Sequence, residues 1–560
     1  MNESALLEKA LDLHRREQFS AAEKTYLKIL RMNPKSDDAC HLLGLLLHHR
    51  GKDQRAKHLL QKAIDLQPEN VLYLYNRGEI SLQQGEYSEA INFLQRCIEL
   101  EPSHLDAHLG LAEAHSALND VQSALAQYQS VIAVDKNHVE ARLGSGNCQL
   151  NLGRIDAAIE QYRLLLNQQP GHVEANFNLG ICYDSIGKFE DAVTQYSRTI
   201  QYRPDFTRAY YNLATIGDYQ AADSLITALK EQVDASKTTT EERVTGHFAL
   251  GRFLECRAEY AAAFVHYHAG NRMHFKQHPF DIAAYERQIE DLITAFYPGV
   301  FSAMPSLNRD EARPNPLLIV GMPRSGTTLL ENRLARHESI IAGGELPLFP
   351  AVLTRLRKQM TGSESYPADI GAVNFSIVND LAGHIQDELE RYTGKPSWVI
   401  DKLPSNYLRL GLVALLAPGA RIIDCRRDPM DSCVSCYTEH FAHGQSFSYD
   451  LEALAAVWSG YDRLMRHWKQ VLPLRILEVN YERLVENPVR ELKKVMDFMS
   501  LDWQKSINDP AMYRQPIRTA SSWQARQAIH SKSVGRWTRF ENHLLGLQQA
   551  LVKHARHHAG

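Results

Sequence analysis

Two short stretches hold residue types whose spacing could do chemistry on an anion. The first runs Pro316-Leu-Leu-Ile-Val-Gly-Met-Pro-Arg-Ser-Gly-Thr-Thr-Leu-Leu330. Its apolar run, Leu317 to Val320, predicts a buried strand. Gly321 and Gly326 predict a turn, and Leu329, Leu330 and Leu334 then recur at helical spacing. Strand, glycine turn and helix N-terminus form an anion cradle, because unpaired N–H groups and the positive end of the helix dipole converge there. The spacing Gly321-x-x-x-x-Gly326-Thr327-Thr328 matches the nucleotide phosphate loop except that Thr327 replaces its lysine. Without that lysine the loop is poorly equipped to transfer a γ-phosphoryl group. Arg324, the only cation in the loop, suits a forked hold on an oxyanion.

The second stretch is Cys425-Arg-Arg-Asp-Pro-Met-Asp-Ser-Cys-Val-Ser435, which follows a strand-like run at Arg421–Ile423. Pro429 sits where a helix could begin, so Arg427 at the strand end and Ser435 two turns into the helix could reach one anion. A phosphate site separate from the first loop is the expectation. Cys433-x-x-Cys436 has no second pair to complete a zinc site and reads as two small helix residues. His266, His268, His274 and His278 are loosely spaced without acidic or thiol partners, so no metal is expected.

Taken jointly, Pro323-Arg-Ser-Gly-Thr-Thr328 and Arg427-Asp-Pro429 with Ser435 resemble the two cofactor signatures of sulfotransferases that use 3′-phosphoadenosine 5′-phosphosulfate. The resemblance spans roughly residues 314–540 and implies that the first loop, Arg324 to Thr328, holds the 5′-phosphosulfate. It implies that Arg427 and Ser435 hold the 3′-phosphate. Among subfamilies, the tyrosylprotein sulfotransferases are the most similar. They share the Arg-Ser-Gly-Thr-Thr loop and a catalytic Glu 21 residues after its Arg, here Glu345. The lysine of their Lys-x-Pro segment matches Lys402. The chemistry implied is sulfuryl transfer to an acceptor hydroxyl, with Glu345 as general base. Arg324 and Lys402 would stabilise charge on the leaving group, without metal. Tyr481 matches a tyrosine at the adenine end. Ser521 and Gln524 open a segment resembling the late cofactor loop, which puts Arg536 at the place of a cofactor-binding lysine.

Three positions depart from that pattern. Glu439 stands where the tyrosylprotein enzymes carry a further cofactor-contacting Arg, which implies a different local 3′-phosphate pocket. Pro347 and Ala351 occupy the two positions where those enzymes aim arginines at acidic peptides. The acceptor is therefore left open among a protein tyrosine, a sugar, a lipid and a small-molecule hydroxyl.

The elements that must position these residues follow. Strand-like runs at Trp398–Ile400, Arg421–Ile423 and Leu474–Val479, with helical stretches between, predict an α/β domain with a parallel sheet over 311–560. Ligands of such sheets bind beyond the carboxyl ends of the strands. Upstream, Ala22, Ala56, Ala90, Ala124, Ala158 and Ala192 stand 34 residues apart, and prolines and small residues keep the same period. This resembles the tetratricopeptide repeat, with about six units over residues 1–215 forming an all-α solenoid. The repeats could bind an acceptor or partner protein in a groove, and Asn76, Asn178 and Asn212 fall on one stripe of it. Residues 216–310 are expected to be a helical bridge capping the solenoid, with a linker at Asn308–Pro316. Fusion to such repeats is, within the family resembled, a bacterial arrangement.

Composition sets outer bounds. At 560 residues the chain exceeds one core, and its net charge of -4 gives no sign of nucleic-acid binding. Eight cysteines make no disulfide scaffold. Neither a signal peptide nor a membrane-length apolar stretch is visible, so a soluble, cytoplasmic protein is expected. Two rival readings are a P-loop kinase, which should carry the missing lysine, and a scaffold with a dead transferase domain, which should have lost Glu345, Lys402 or Arg427.

Overall fold

A computed structural model describes residues 2–217, 219–303, 313–360, 365–392, 397–441, 444–508 and 529–557. The chain falls into two compact units, Met1–Cys182 and Tyr183–Gly560.

The first unit is a series of helix pairs, from Glu3–Arg15 with Phe19–Met32 to Val139–Asn151 with Ile155–Gln168. The 34-residue alanine register is its packing device. Ala22, Ala56, Ala90, Ala124 and Ala158 are all fully buried, where a larger side chain would hold the paired helices apart. A second register lies in the turns joining each pair. Glu17, Gly51, Gly85, Asn119 and Gly153, again 34 apart, all take a left-handed backbone (φ between 58° and 78°), a conformation that glycine and asparagine tolerate best.

The second unit holds helices that precede a sheet and the sheet itself. Its strands are β1 (Asn315–Gly321), β2 (Ile340–Ala342), β3 (Trp398–Asp401), β4 (Arg421–Arg426) and β5 (Arg475–Asn480). They run parallel in the order β2-β3-β1-β4-β5. The expected order of an all-α repeat region followed by a parallel α/β domain is thus the one observed. The strand β2, only three residues long, is not among the expected runs. The expected linker Asn308–Pro316 ends inside β1, and its residues 308–312 lie outside the described set.

Alternation along β1 serves both faces of the sheet. Leu318 and Val320 join Val399, Ile422, Trp468 and Phe296 on one side. Leu317 and Ile319 join Ile400, Ile423, Leu330 and Val495 on the other. A third core joins Phe248 and Tyr267, from the helices Thr240–Cys256 and Tyr260–Gln277, to Cys433, Cys436, Tyr437 and Phe540. The helices read as a bridge therefore share a core with the helix Pro429–Tyr437 that follows β4. The strand order reverses at β1 and β4: the chain leaves β1 toward β2 and β4 toward β5, on opposite sides. The crevice beyond their carboxyl ends is where a doubly wound sheet takes a ligand.

Candidate active site

The loop after β1 enters that crevice. Arg324 (φ 66°) and Gly326 (φ 95°) both take positive φ, which folds Met322–Gly326 back over the strand end. At Gly326 a Cβ would lie 2.6 Å from Tyr481 Cδ2, so the position is closed to larger residues twice over. The helix Thr327–Leu334 starts at Gly326 with no side-chain cap, leaving its first-turn amides pointed into the crevice. Ser325, Thr327 and Thr328 are buried, and Ser325 Oγ has no hydrogen-bond partner. Uncapped amides and an orphaned buried hydroxyl are what an anionic group would satisfy.

Across the crevice, the residues after β4 close on the same loop. Arg427 donates from Nη1 to Arg324 O at 2.8 Å and from Nη2 to Ser533 O at 2.5 Å, and its guanidinium stacks 4.8 Å from the Tyr481 ring centre. Burial pulls the Arg427 pKa down, and its Nε has no partner. Ser435 lies on the helix Pro429–Tyr437, and its Oγ accepts from Arg324 Nε at 3.3 Å. The two stretches, expected as separate phosphate sites, meet here, and Tyr481 meets both. Asp431, on the same helix as Ser435, accepts the amides of Gly535 (2.6 Å) and Trp537 (3.0 Å) and so pins the segment carrying Arg536.

Arg536 itself turns to another partner. Glu255, on Thr240–Cys256, takes it in a two-armed grip, Nε to Oε1 at 2.7 Å and Nη2 to Oε2 at 2.6 Å, while Nη1 donates to Thr438 Oγ1 at 2.9 Å. Burial alone would raise the Glu255 pKa, but the Arg536 guanidinium outweighs it and holds the carboxyl at about 2. Glu439 is 2% exposed; it accepts Tyr211 Oη at 2.5 Å and Arg252 Nη2 at 2.7 Å and stands 3.7 Å from Arg324 Nη1. Burial again pushes up, and Arg252 and Arg324 prevail, keeping Glu439 ionised. Sequence reasoning misses Tyr211, Arg252 and Glu255, because no local spacing ties them to the loop. Ser521 and Gln524 lie outside the described residues.

On the other side of β1, the Glu345 turn is held by two buried carboxylates that sequence reasoning also passes over. Glu331, on the loop helix, accepts the Gly344 amide at 2.9 Å, and burial raises its pKa. Asp401, fully buried at the end of β3, accepts Leu403 N at 3.2 Å and Asn406 Nδ2 at 2.9 Å and also bonds the Leu346 amide. Burial pushes Asp401 up to about 7. Gly343 N to Ile400 O (2.9 Å) and Lys402 N to Gly344 O (2.8 Å) continue the β2–β3 pairing into the turn. The result sets Lys402 Nζ, 1% exposed, against Glu345 Oε1 at 2.7 Å, with Glu345 half open to solvent. Pro347 and Ala351 fall at the start of the helix Leu348–Gln359. The four histidines gather no ligand set: among the described residues no metal-sized group of His, Cys, Asp or Glu occurs.

Comparison with known proteins finds similarities in both parts of the chain. Residues 316–505 match the model of the sulfotransferase family. Tetratricopeptide-repeat models match residues 81–129, 109–173 and 174–205, and a model of the anaphase-promoting complex, cyclosome, subunit 3 matches 15–97. An uncharacterized protein of Aquifex aeolicus is 30% identical over 58% of this chain and 44% of its own length. Protein-tyrosine sulfotransferase 1 of Danio rerio is 26% identical over 34% of this chain and 55% of its own. The chain thus spans about half the length of these two relatives. The crystal structure of YrrB, a TPR protein with an unusual peptide-binding site, covers 33% of this chain and 95% of its own at 24% identity, with a TM-score of 0.31. Residues 316–505 are thus similar to the sulfotransferase family, in a chain whose residues 81–205 are similar to tetratricopeptide repeats.

Proposed function

We propose that the protein transfers a sulfuryl group from 3′-phosphoadenosine 5′-phosphosulfate to an acceptor hydroxyl. The observation that carries this reading is the pair of orphaned buried donors facing one crevice, Ser325 Oγ beside an uncapped helix N-terminus and Arg427 Nε across from it. A nucleotide with phosphates at both ends of its ribose would satisfy both. The amides of Gly326, Thr327 and Thr328 with the Ser325 hydroxyl would hold the 5′ end. Arg427 and Ser435 would hold the 3′-phosphate, and Tyr481 would flank the adenine end.

When bound, the cofactor supplies a sulfuryl group on a phosphate leaving group. Glu345, half exposed at the mouth of the turn, takes the proton of the acceptor hydroxyl. Lys402, which donates to Glu345 in this structure, would hold negative charge on the leaving side, together with Arg324. Glu331 and Asp401 keep the turn still while this happens. The acceptor hydroxyl belongs to a protein tyrosine or to a sugar or small molecule, with the repeats presenting the acceptor or its carrier.

Calorimetry with 3′-phosphoadenosine 5′-phosphate in the presence of EDTA tests the reading. Binding is expected, and Arg427→Ala should weaken it by about 2–4 kcal/mol through loss of charge-assisted bonds. Unchanged affinity in that variant, or an absolute need for a divalent cation, overturns the assignment.

A further inference from the structure

The helix Thr240–Cys256 precedes the sheet by some sixty residues, yet it reaches the anion crevice with two charges on one face. Arg252 holds Glu439 and, three residues on, Glu255 holds Arg536. Thr438, the neighbour of Glu439, receives the remaining arm of Arg536. Arg324, Glu439, Arg252, Glu255, Arg536 and Thr438 therefore form a continuous polar belt around one end of the crevice.

The belt poses an electrostatic problem. A carboxylate buried beside an arginine competes with any anionic ligand for that arginine, because its own charge cannot be left unpaired. Glu439 is such a competitor for Arg324. Two donors keep it from winning: its short contacts go to Arg252 and Tyr211, and its approach to Arg324 stays at 3.7 Å. Remove Arg252, and Glu439 would draw Arg324 into a short ion pair, away from Ser435, to which it donates at 3.3 Å.

We propose that Arg252 is a positioning residue of the anion site: by pairing with Glu439, it keeps that carboxylate from pulling Arg324 off Ser435 and the nucleotide. The helix before the sheet is then part of the nucleotide site. This rests on the assignment of Arg324 to the nucleotide made above.

The test is a mutant cycle read by calorimetry with 3′-phosphoadenosine 5′-phosphate on the full chain. Arg252→Gln should weaken binding at least about tenfold, in the range of coupled neighbouring charges. Glu439→Gln should bind no more weakly than the parent. The double variant should return to within about threefold of the parent, because the competitor has gone with its keeper. A part played only through packing predicts no such rescue. Arg252→Gln binding like the parent, or a double variant as weak as the single, overturns the proposal. If Arg252→Gln does not fold, Tyr211→Phe removes the other short donor and should cost about threefold, restored by Glu439→Gln; no loss, or no restoration, overturns it equally. A parent chain that does not bind the nucleotide at all brings down the functional reading instead, so the two failures are distinct.

Discussion

Polar side chains find their partners at different ranges in the two units. In the repeats the more distant partners lie about one period away: Asn33 with Glu3, Tyr73 with Asp38, Asn76 with His41 and Asn178 with Asn147 are separated by 30, 35, 35 and 31 residues. In the sheet-containing unit, Arg427 to Arg324 spans 103 residues, Arg252 to Glu439 spans 187, Tyr211 to Glu439 spans 228 and Arg536 to Glu255 spans 281. The repeats assemble through neighbouring interfaces whose energies nearly add. The site exists only when distant segments have docked, so its residues act together. Substitutions should therefore have large, coupled effects in the second unit and modest, local ones in the first.

The largest effect is expected at Glu345. Glu345→Gln keeps the shape and a partner for Lys402 but cannot accept a proton. Its transfer rate should fall by roughly 10²–10⁴ with nucleotide affinity nearly intact. Sulfate transfer at the parent rate would assign the base to another residue. Next is Gly326→Ala. The left-handed backbone and the Tyr481 ring at 2.6 Å both oppose a Cβ, so the loop must shift. Nucleotide affinity should drop about 10- to 100-fold, the scale of a few kcal/mol of backbone strain, and an unchanged dissociation constant would show that the loop amides are not the ligands.

How much of this is legible in the sequence follows the same division. Repeats announce themselves, since their contacts recur at one period: the alanines from Ala22 to Ala158 stand out by spacing alone, whereas the turn register through Gly51 and Gly85 is broken in type by Glu17 and Asn119 and shows only in the backbone. The strands of the sheet are legible as apolar runs, save β2, whose Ile340–Ala342 is too short to show alternation. The residues named for the phosphate loop, Arg427, Ser435 and Tyr481 lie together, although spacing sets the second stretch apart as its own site and only the family resemblance points to Tyr481. The belt through Arg252 and Glu255 is not legible, because the repeat register stops after Ala214 and nothing local marks those residues. Arg536, matched by spacing to a cofactor-binding lysine, has its fork turned to Glu255, a partner 281 residues away. Glu331 and Asp401 look in sequence like ordinary carboxylates, and only burial sets them apart.

Asp401 makes that burial measurable. Its pKa is raised in the folded protein, to about 7, from the ~3.9 of an exposed aspartate. The folded state therefore holds a proton that the unfolded chain releases, and the stability this contributes is lost as pH rises from about 4 to about 7. Asp401→Asn abolishes the titration. An amide there can still accept from Leu403 and can donate to Asn406 Oδ1, which has no partner, if the Asn406 amide turns over. Between pH 5 and pH 7 the variant should gain on the parent by something on the order of 2 kcal/mol, seen as a pH-dependent difference in denaturant midpoints. A flat difference would mean that Asp401 is ionised throughout.

The smallest effect belongs to the repeats and asks whether their polar stripe is spent on structure. Asn147 Oδ1 accepts from both Tyr162 Oη (2.7 Å) and Asn178 Nδ2 (2.8 Å), so the amide that could grip a passing peptide is already bonded to a neighbouring repeat. Asn178→Ala removes one of the two bonds and leaves Asn147 satisfied by Tyr162. A single half-buried hydrogen bond contributes about 0.5–1.5 kcal/mol. Because interfaces in a solenoid are local, faster hydrogen exchange should appear in the helices Val139–Asn151 and Ile155–Gln168 and fade toward Glu3–Arg15. The transfer reaction then separates two roles for the same residue. If Asn178 only ties repeats together, KM for a protein acceptor and for a small phenolic or sugar surrogate should stay unchanged. If the stripe carries the acceptor, as proposed for the repeats, KM should rise for the protein and not for the surrogate. The existing bond to Asn147 then becomes one that an incoming backbone must displace, which would make the repeats a weak, adaptable holder.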